Sequence, residues 1–459
     1  MGKLLGRFMT DKIIVAKFGG SSMADAAAIR RSANIALQKA SSIVIVSATY
    51  GTTNQILELI DCALEKGELA CDNLYQDLFA KHSKICQELE LDEKARTTVF
   101  SLLNDLQALL KGISLLQDCS LKARDHVLSH GERISSILIA ETLKQSQNEK
   151  EVILFDAREI IATNDAYGAA IPDIAKISLL AKEKLRPLIN KNSIIVSQGF
   201  IGRNQAGITT TLGRGGSDYS ASLFAEAIDA DLIEIWTDVA GVASTDPRIC
   251  SHAKSLKEIT YKEACELATF GAKVLHPTSL WPAMRKNIPV YVGSSIEPDA
   301  VGTTIVNTSK EKPLIRAIAL RRKQSLVTIS TPRMVNTHGF LYNVFRIFTE
   351  HEVSVDLVTT SEISVAITLN QSMPNAQKFM AKLKEIGEVE LQDGLALISL
   401  VGSDISLTPG LSKDIFTHLS DVNVRMICQG ASASNICFLI DEKYAEQTVK
   451  ALHKRFLES

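Results

Sequence analysis

The 459-residue chain lacks a charge bias, a paired-cysteine motif and a long apolar run, and each absence excludes a class of function. Fifty basic against fifty-two acidic residues leave a net charge of −2, so no global field draws the chain to nucleic acid or to an anionic membrane. Its eight cysteines, at 62, 71, 86, 119, 250, 265, 428 and 437, form no Cys-x-x-Cys pair and are scattered through amphipathic stretches. They read as buried or idle thiols, with no metal-ligand set among them. Residues 1–11 carry basic side chains without an apolar core, and nothing later approaches the roughly 18 apolar residues that cross a bilayer. The expectation is a cytoplasmic protein whose partners are small molecules and further copies of itself.

With 46% hydrophobic residues, a chain of this length buries more than one core. Over the first three hundred residues, short β-branched runs at 13–18, 43–47, 152–155, 193–197, 232–236 and 288–292 alternate with helical patterns, which predicts a mostly parallel sheet covered by helices. Residues 53–150 are almost wholly helical in pattern and read as a helical subdomain of a unit spanning 1–297. Pro298, Gly302, Thr303, Thr304, Ser309 and Lys310 interrupt the periodicity, placing a linker at 298–313. Beyond it, Gly339-Phe-Leu-Tyr-Asn-Val-Phe345 recurs about 70 residues later as Gly410-Leu-Ser-Lys-Asp-Ile-Phe416, and Val353-Ser-Val355 as Val422-Asn-Val424. This predicts two ferredoxin-like βαββαβ units, at 314–389 and 390–459, whose open sheet edges can pair within or between chains.

Four unusual turns carry the chemistry. Thr209-Thr-Thr-Leu-Gly-Arg-Gly-Gly-Ser-Asp-Tyr-Ser-Ala221 places Gly213, Gly215 and Gly216 just before a helical pattern, where free amides and the helix dipole hold an anion. Lys17-Phe-Gly-Gly-Ser-Ser22 adds an ammonium and further amides at the end of the first strand. Its order is not the Gly-x-x-x-x-Gly-Lys-Ser/Thr of a Walker A loop, which argues against a P-loop fold. Thr237-Asp-Val-Ala-Gly241 with Thr245-Asp-Pro-Arg248, and Phe270-Gly-Ala-Lys-Val-Leu-His-Pro277, complete the set. All fall after a strand or at a helix start, where open α/β sheets bind ligands. His126 and His130 are spaced like a metal pair but have no evident third ligand.

These turns, with Ser47-Ala-Thr-Tyr-Gly-Thr-Thr-Asn54 and Ser129-His-Gly-Glu132, resemble in content and order a monofunctional aspartokinase of the amino-acid kinase superfamily. Gly339-Phe-Leu341 and Ser354-Val-Asp-Leu-Val-Thr-Thr-Ser-Glu362 resemble the ACT domains of the lysine-sensitive type. The resemblance implies an α/β fold, an amino-acid-kinase-like three-layer αβα sandwich with a mostly parallel sheet, followed by two ACT units. It implies phosphoryl transfer from ATP, with Mg²⁺, to the β-carboxylate of L-aspartate.

On that resemblance, Lys17 and Asp218 are catalytic, and Thr53, Glu132, Arg214 and Ser217 bind aspartate. Lys17, Gly19, Gly20, Ser21, Gly215, Gly216, Thr237, Asp238, Arg248, Lys273 and Val274 contact the nucleotide. Where many relatives carry a tyrosine between the Thr237-Asp238 and Thr245-Asp-Pro-Arg248 motifs, this chain has Ala243, which removes an aromatic platform for adenine. The implied effector is lysine, contacted by Met334, Thr337, Phe340, Leu341, Ser354, Val355, Asp356, Thr360, Ser361 and Glu362, and the ACT units are expected to form a homodimer or higher homo-oligomer. Two other readings stay open: a kinase for glutamate, acetylglutamate or a nucleotide, and a non-catalytic amino-acid sensor. Paired ACT-like repeats and Ser129-His-Gly-Glu132 weigh against the first, and the presence of Lys17, Arg214, Asp218 and Lys273 against the second.

Overall fold

A computed structural model describes residues 12–65, 68–146, 149–271, 275–335, 338–370 and 376–458. The chain divides into two compact units, one of residues 1–242, 255–261 and 274–309, the other of 243–254, 262–273 and 310–459.

The first unit contains β1 (Ile14–Phe18), α1 (Ala26–Gln38), β2 (Ile43–Val46), α2 (Thr52–Glu65), α3 (Glu68–Glu88), α4 (Glu93–Leu116), α5 (Leu121–Leu128), α6 (His130–Gln145), β3 (Glu151–Phe155), α7 (Ile174–Leu180) and β4 (Ser193–Gln198). These are followed by β5 (Ile201–Arg203), β6 (Thr209–Thr211), α8 (Gly216–Ile228), β7 (Leu232–Thr237), β8 (Glu258–Thr260), the start of α9 (Tyr261–Thr269), α10 (Pro277–Lys286), β9 (Val290–Ser294) and β10 (Thr303–Val306). Eight strands form one sheet in the order β3-β4-β2-β1-β7-β9-β10-β8, parallel except where β9 meets β10. Strands β1, β2 and β4 are buried almost throughout because helices cover both faces, α6 packing on β2, β3 and β4 and α8 on β1, β2 and β7. The expected three-layer α/β architecture is what forms. Residues 303–306, inside the stretch read as linker, form β10: the β-branched Thr-Thr-Ile-Val run was masked by the turn formers around it.

Helices α2 to α6 fill 52–145. Among them α4 is long and apolar enough to cross a bilayer by length and composition, which the sequence reading did not anticipate. Val99, Leu102, Leu103, Leu106, Leu110 and Ile113 recur at helical spacing and are buried in the core of this unit, giving α4 an apolar stripe.

The second unit is built on β11 (Ala317–Ser330), α11 (Phe340–Glu350), β12 (Val358–Thr360), β13 (Ser364–Asn370), α12 (Ala376–Lys384), β14 (Glu388–Val401), α13 (Leu411–Thr417), β15 (Val424–Gln429), β16 (Asn435–Asp441) and α14 (Ala445–Leu457). Its six strands form one antiparallel sheet, β12-β13-β11-β14-β16-β15. Both repeats share the long strands β11 and β14. Residues 324–330 of β11 pair with β13, and 326–330 with 388–392 of β14, over a core containing Val344, Phe348 and Phe379. Residues 317–321 pair instead with 397–401, over a core containing Ile415, Phe438 and Leu452. The second repeat therefore takes a strand from the chain preceding the first, and a division at 389/390 falls inside β14. Gly339 and Gly410 each start the first helix of their repeat at φ +81°, a left-handed conformation that explains why glycine recurs there.

Candidate active site

The carboxyl ends of β1, β2 and β4, the start of α2 and the start of α8 enclose a cavity of about 750 Å³ in the first unit. Lys17, one residue from the end of β1, reaches into it and meets Asp218, in the first turn of α8, with Nζ 2.6 Å from Oδ1. At that separation the two form a contact ion pair, both side chains mostly buried. Beside them α8 begins at Gly215, whose φ of +72° and closeness to His276 leave no room for a Cβ, which would lie 2.6 Å from the His276 Cβ. The free amides of this helix start open onto the cavity.

Glu132 sits on the opposite wall, in the first turn of α6, and is 3% exposed. Burial pushes its carboxyl up to about 8, against the opposing pull of the Ala48 amide, its own amide and the Lys17 charge. One of its oxygens, Oε2, is buried without a hydrogen-bond partner. A carboxyl in that state loses its proton to an arriving cation and then accepts a donor at Oε2. Arg214 is exposed at the cavity rim, with no acidic partner among the described residues. Thr53 lies in the first turn of α2, and the 47–51 loop before it is braced by Thr49, whose hydroxyl meets Thr52 at 2.6 Å and the buried His82 at 3.1 Å.

Of the residues singled out in the sequence, Lys17, Gly20, Thr53, Glu132, Arg214, Gly215, Gly216, Ser217 and Asp218 line this one cavity. Gly19 and Ser21 lie beside it: Gly19 donates its amide to Trp236 O, and a Cβ on it would stand 3.4 Å from Lys17 Nζ. Thr237, the last residue of β7, and Asp238 after it, bonded to each other at 3.0 Å, are not part of its wall. Arg248 belongs to the second unit and pairs with Asp246 at 2.7 Å. Lys273, Val274 and Thr337 lie outside the described residues. His126 and His130 stack edge to face at 5.5 Å, and His130 Nδ1 faces the carbonyls of His126 and Val127, a helix-internal role.

Asp125 and Phe200 are among the residues of the site that sequence reading missed. Asp125, fully buried in α5, accepts from the amides of Gly168 and Thr211 and from the Thr211 hydroxyl at 2.8–3.0 Å, so it ties the β6 turn to the helical layer. Phe200 lies against the cavity in the left-handed region at φ +69°, its amide donating to Ser220 Oγ at 2.9 Å and its carbonyl accepting from Leu212. The available signal was Gly199, whose Cβ would stand 2.6 Å from that of Ser217.

In the second unit, Met334 ends a short 3₁₀ turn, Phe340 opens α11 almost buried, and Leu341 is exposed. Ser354, Thr360, Ser361 and Glu362 are exposed around β12, and Val355 is half-buried. Asp356 already has a cation: Arg321 Nη2 approaches to 2.9 Å.

An α/β sheet with a lysine-bearing, glycine-cradled cavity at the carboxyl ends of its central strands, joined to a ferredoxin-like regulatory sheet, defines the class of a regulated small-molecule kinase. Residues 12–294 match the model of the amino acid kinase family, and 398–456 that of an ACT domain. The chain is 43% identical over 457 residues to lysine-sensitive aspartokinase 3 of Escherichia coli K12, covering 97% of this chain and 100% of that one. It is 36% identical to the chloroplastic aspartokinase 1 of Arabidopsis thaliana, with 97% and 80% covered. Among solved structures, E. coli aspartokinase III with aspartate and ADP, in its R-state, superposes with a TM-score of 0.86 at 42% identity, covering 98% of this chain and 100% of that one. The same enzyme with lysine and aspartate, in its T-state, gives 0.84 at 42%, with 97% and 99% covered. The chain belongs to the aspartokinases of the amino acid kinase family.

Proposed function

We propose that the cavity carries out phosphoryl transfer from ATP to the β-carboxylate of L-aspartate, giving ADP and 4-phospho-L-aspartate. The chain is an aspartate kinase, and the residue roles below are our reading of the geometry. The observation that carries them is the buried, half-satisfied Glu132 within electrostatic reach of the Lys17–Asp218 pair.

A carboxylate with a pKa near 4 is ionised at neutral pH, so the nucleophile needs no general base. The difficulty is repulsion between that carboxylate and the nucleotide phosphates. Lys17 and the amide of Ser217 at the start of α8 offset it, and Asp218 holds the Lys17 ammonium in place. Arg214, with no acidic partner among the described residues, offers its guanidinium fork to a substrate carboxylate. Glu132 Oε2 receives the α-ammonium, and Thr53 adds a hydroxyl. Mg²⁺ fits as an ion that arrives with ATP: Asp125 is saturated by protein donors, leaving Asp218 as the carboxylate able to hold the ion's waters. Bound there, the ion neutralises phosphate charge.

Lysine acts as effector at the ACT sheet, between paired copies of the chain, by binding the less active arrangement more tightly. The pairing supplies a homodimer or higher homo-oligomer, and the setting is the cytoplasm, at the first step of the aspartate pathway. Trapping the acyl phosphate with hydroxylamine over aspartate, glutamate and acetylglutamate, with and without lysine, tests the reading. Hydroxamate from aspartate alone, suppressed by lysine, is expected. Hydroxamate from another acid in preference, or none from any, overturns the catalytic reading, and a lysine-insensitive rate overturns the regulatory one.

A further inference from the structure

The cysteines were expected to be idle, and in the second unit one of them is not isolated. Cys250 Sγ, a ring nitrogen of His252 and a carboxylate oxygen of Glu458 all lie within 4.8 Å of one another. Cys250 is buried, whereas His252 and Glu458 are exposed, so the three present a thiol floor beneath two solvent-facing ligands. From this geometry we propose that Cys250, His252 and Glu458 form a binding site for a thiophilic divalent cation of the Zn²⁺ type.

The ligand chemistry sets the class of ion. One thiolate, one imidazole and one carboxylate suit Zn²⁺, and three protein ligands leave a fourth position to water. Around a tetrahedral ion with bonds of about 2.0–2.3 Å, ligand atoms stand roughly 3.5 Å apart. Cys250 Sγ and Glu458 Oε1 are already 3.7 Å apart. Closure therefore requires a movement of about an ångström by exposed side chains.

A second layer supports the three. His453, fully buried on α14, holds Nδ1 2.8 Å from Glu458 Oε1 and 3.4 Å from Cys250 Sγ. Its other nitrogen faces Ser244 Oγ at 3.0 Å, and that hydroxyl already accepts the Lys254 amide at 2.9 Å. An ionised Glu458 carboxylate can only accept, so Nδ1 carries the N–H that donates to it and Nε2 accepts from the Ser244 hydroxyl. Ligating carboxylates in protein zinc sites are oriented by this kind of hydrogen bond. The 250–252 turn is itself anchored: Ile249 packs on the core beneath α13 and α14, and Cys250 N donates to Asp246 O. Metal uptake would replace the Cys250 thiol proton, released to solvent, and fasten the end of α14 to the turn that begins at Thr245.

The proposal is independent of the catalytic reading, and its test needs no activity. Full-length protein stripped with chelator is titrated with Zn²⁺ against a chromogenic competitor and, separately, with Co²⁺ while the thiolate-to-cobalt charge-transfer band is recorded. One equivalent of Zn²⁺ should bind the native chain. Cys250→Ser should abolish the cobalt band, and His252→Ala, a change at an exposed position, should weaken binding at least tenfold. His453→Gln should cost about 10–100-fold, the usual range for a group that orients a ligand. Zn²⁺ uptake by the native chain no greater than by a Cys250→Ser/His252→Ala double variant, or a cobalt band that survives Cys250→Ser, overturns the assignment. The cluster would then be a hydrogen-bonded latch on the chain's last helix.

Discussion

The two sheets treat charge in opposite ways. In the parallel sheet the functional groups are buried before any ligand arrives: Lys17 and Asp218 are mostly enclosed, and Glu132 is hidden with one oxygen unanswered. In the antiparallel sheet, Thr360, Ser361 and Glu362 are exposed, and the half-buried Asp356 already faces Arg321. The first arrangement is preorganised, its desolvation cost met by folding, so a ligand gains the full strength of each contact. The second must exchange one partner for another, so its ligand gains only a difference. A catalytic centre benefits from the former and a reversible sensor from the latter.

The largest effect expected from this contrast is at Lys17. Lys17→Ala should lower turnover about a hundredfold or more in steady-state assays on protein shown by circular dichroism to be folded. Near-native turnover would remove the distinction between the sheets. Glu132→Gln comes next, with KM for aspartate rising about 10–100-fold and kcat changing less, the scale of one hydrogen bond to a charged group. Asp125→Asn tests whether the cavity depends on buried scaffolding. Losing charged acceptance of three donors should destabilise the fold by about 2–3 kcal/mol in denaturant titration, and an unchanged midpoint would assign the Thr211 turn to other contacts. Arg321→Ala probes the sensing side and should be smallest: freeing Asp356 from a partly exposed ion pair worth up to about 1 kcal/mol should tighten lysine inhibition by up to about fivefold. Weaker inhibition would mean that Arg321 helps to hold the effector.

The sequence made the catalytic half legible because its chemistry is written in local turns. Lys17-Phe-Gly-Gly and Leu212-Gly-Arg-Gly-Gly-Ser-Asp218 each announce an anion site through glycine and charge, and both reach the same cavity. Asp125 and Phe200 were invisible for the reason that they act at a distance. An aspartate in a charged helix and a phenylalanine after a glycine acquire meaning only when β6 and α8 pack against them. The shared strands β11 and β14 escaped detection likewise, since a local repeat signal cannot report that one strand serves two sheet halves. The Cys250 cluster draws on residues about two hundred positions apart, beyond any spacing rule.

The most direct test of the central claim, a buried carboxylate waiting for an ammonium, is the proton balance of aspartate binding. With its carboxyl held at about 8, native Glu132 carries a proton that the unfolded chain gives up near its usual value of 4.5. Stability should therefore fall as pH rises across that window, and Glu132→Gln should remove the slope. An arriving α-ammonium favours the ionised form, so calorimetry of aspartate binding at pH 7 in buffers of different ionisation enthalpy should record release of roughly one proton, absent in Glu132→Gln. Proton release that is nil, or the same in both proteins, would contradict the account.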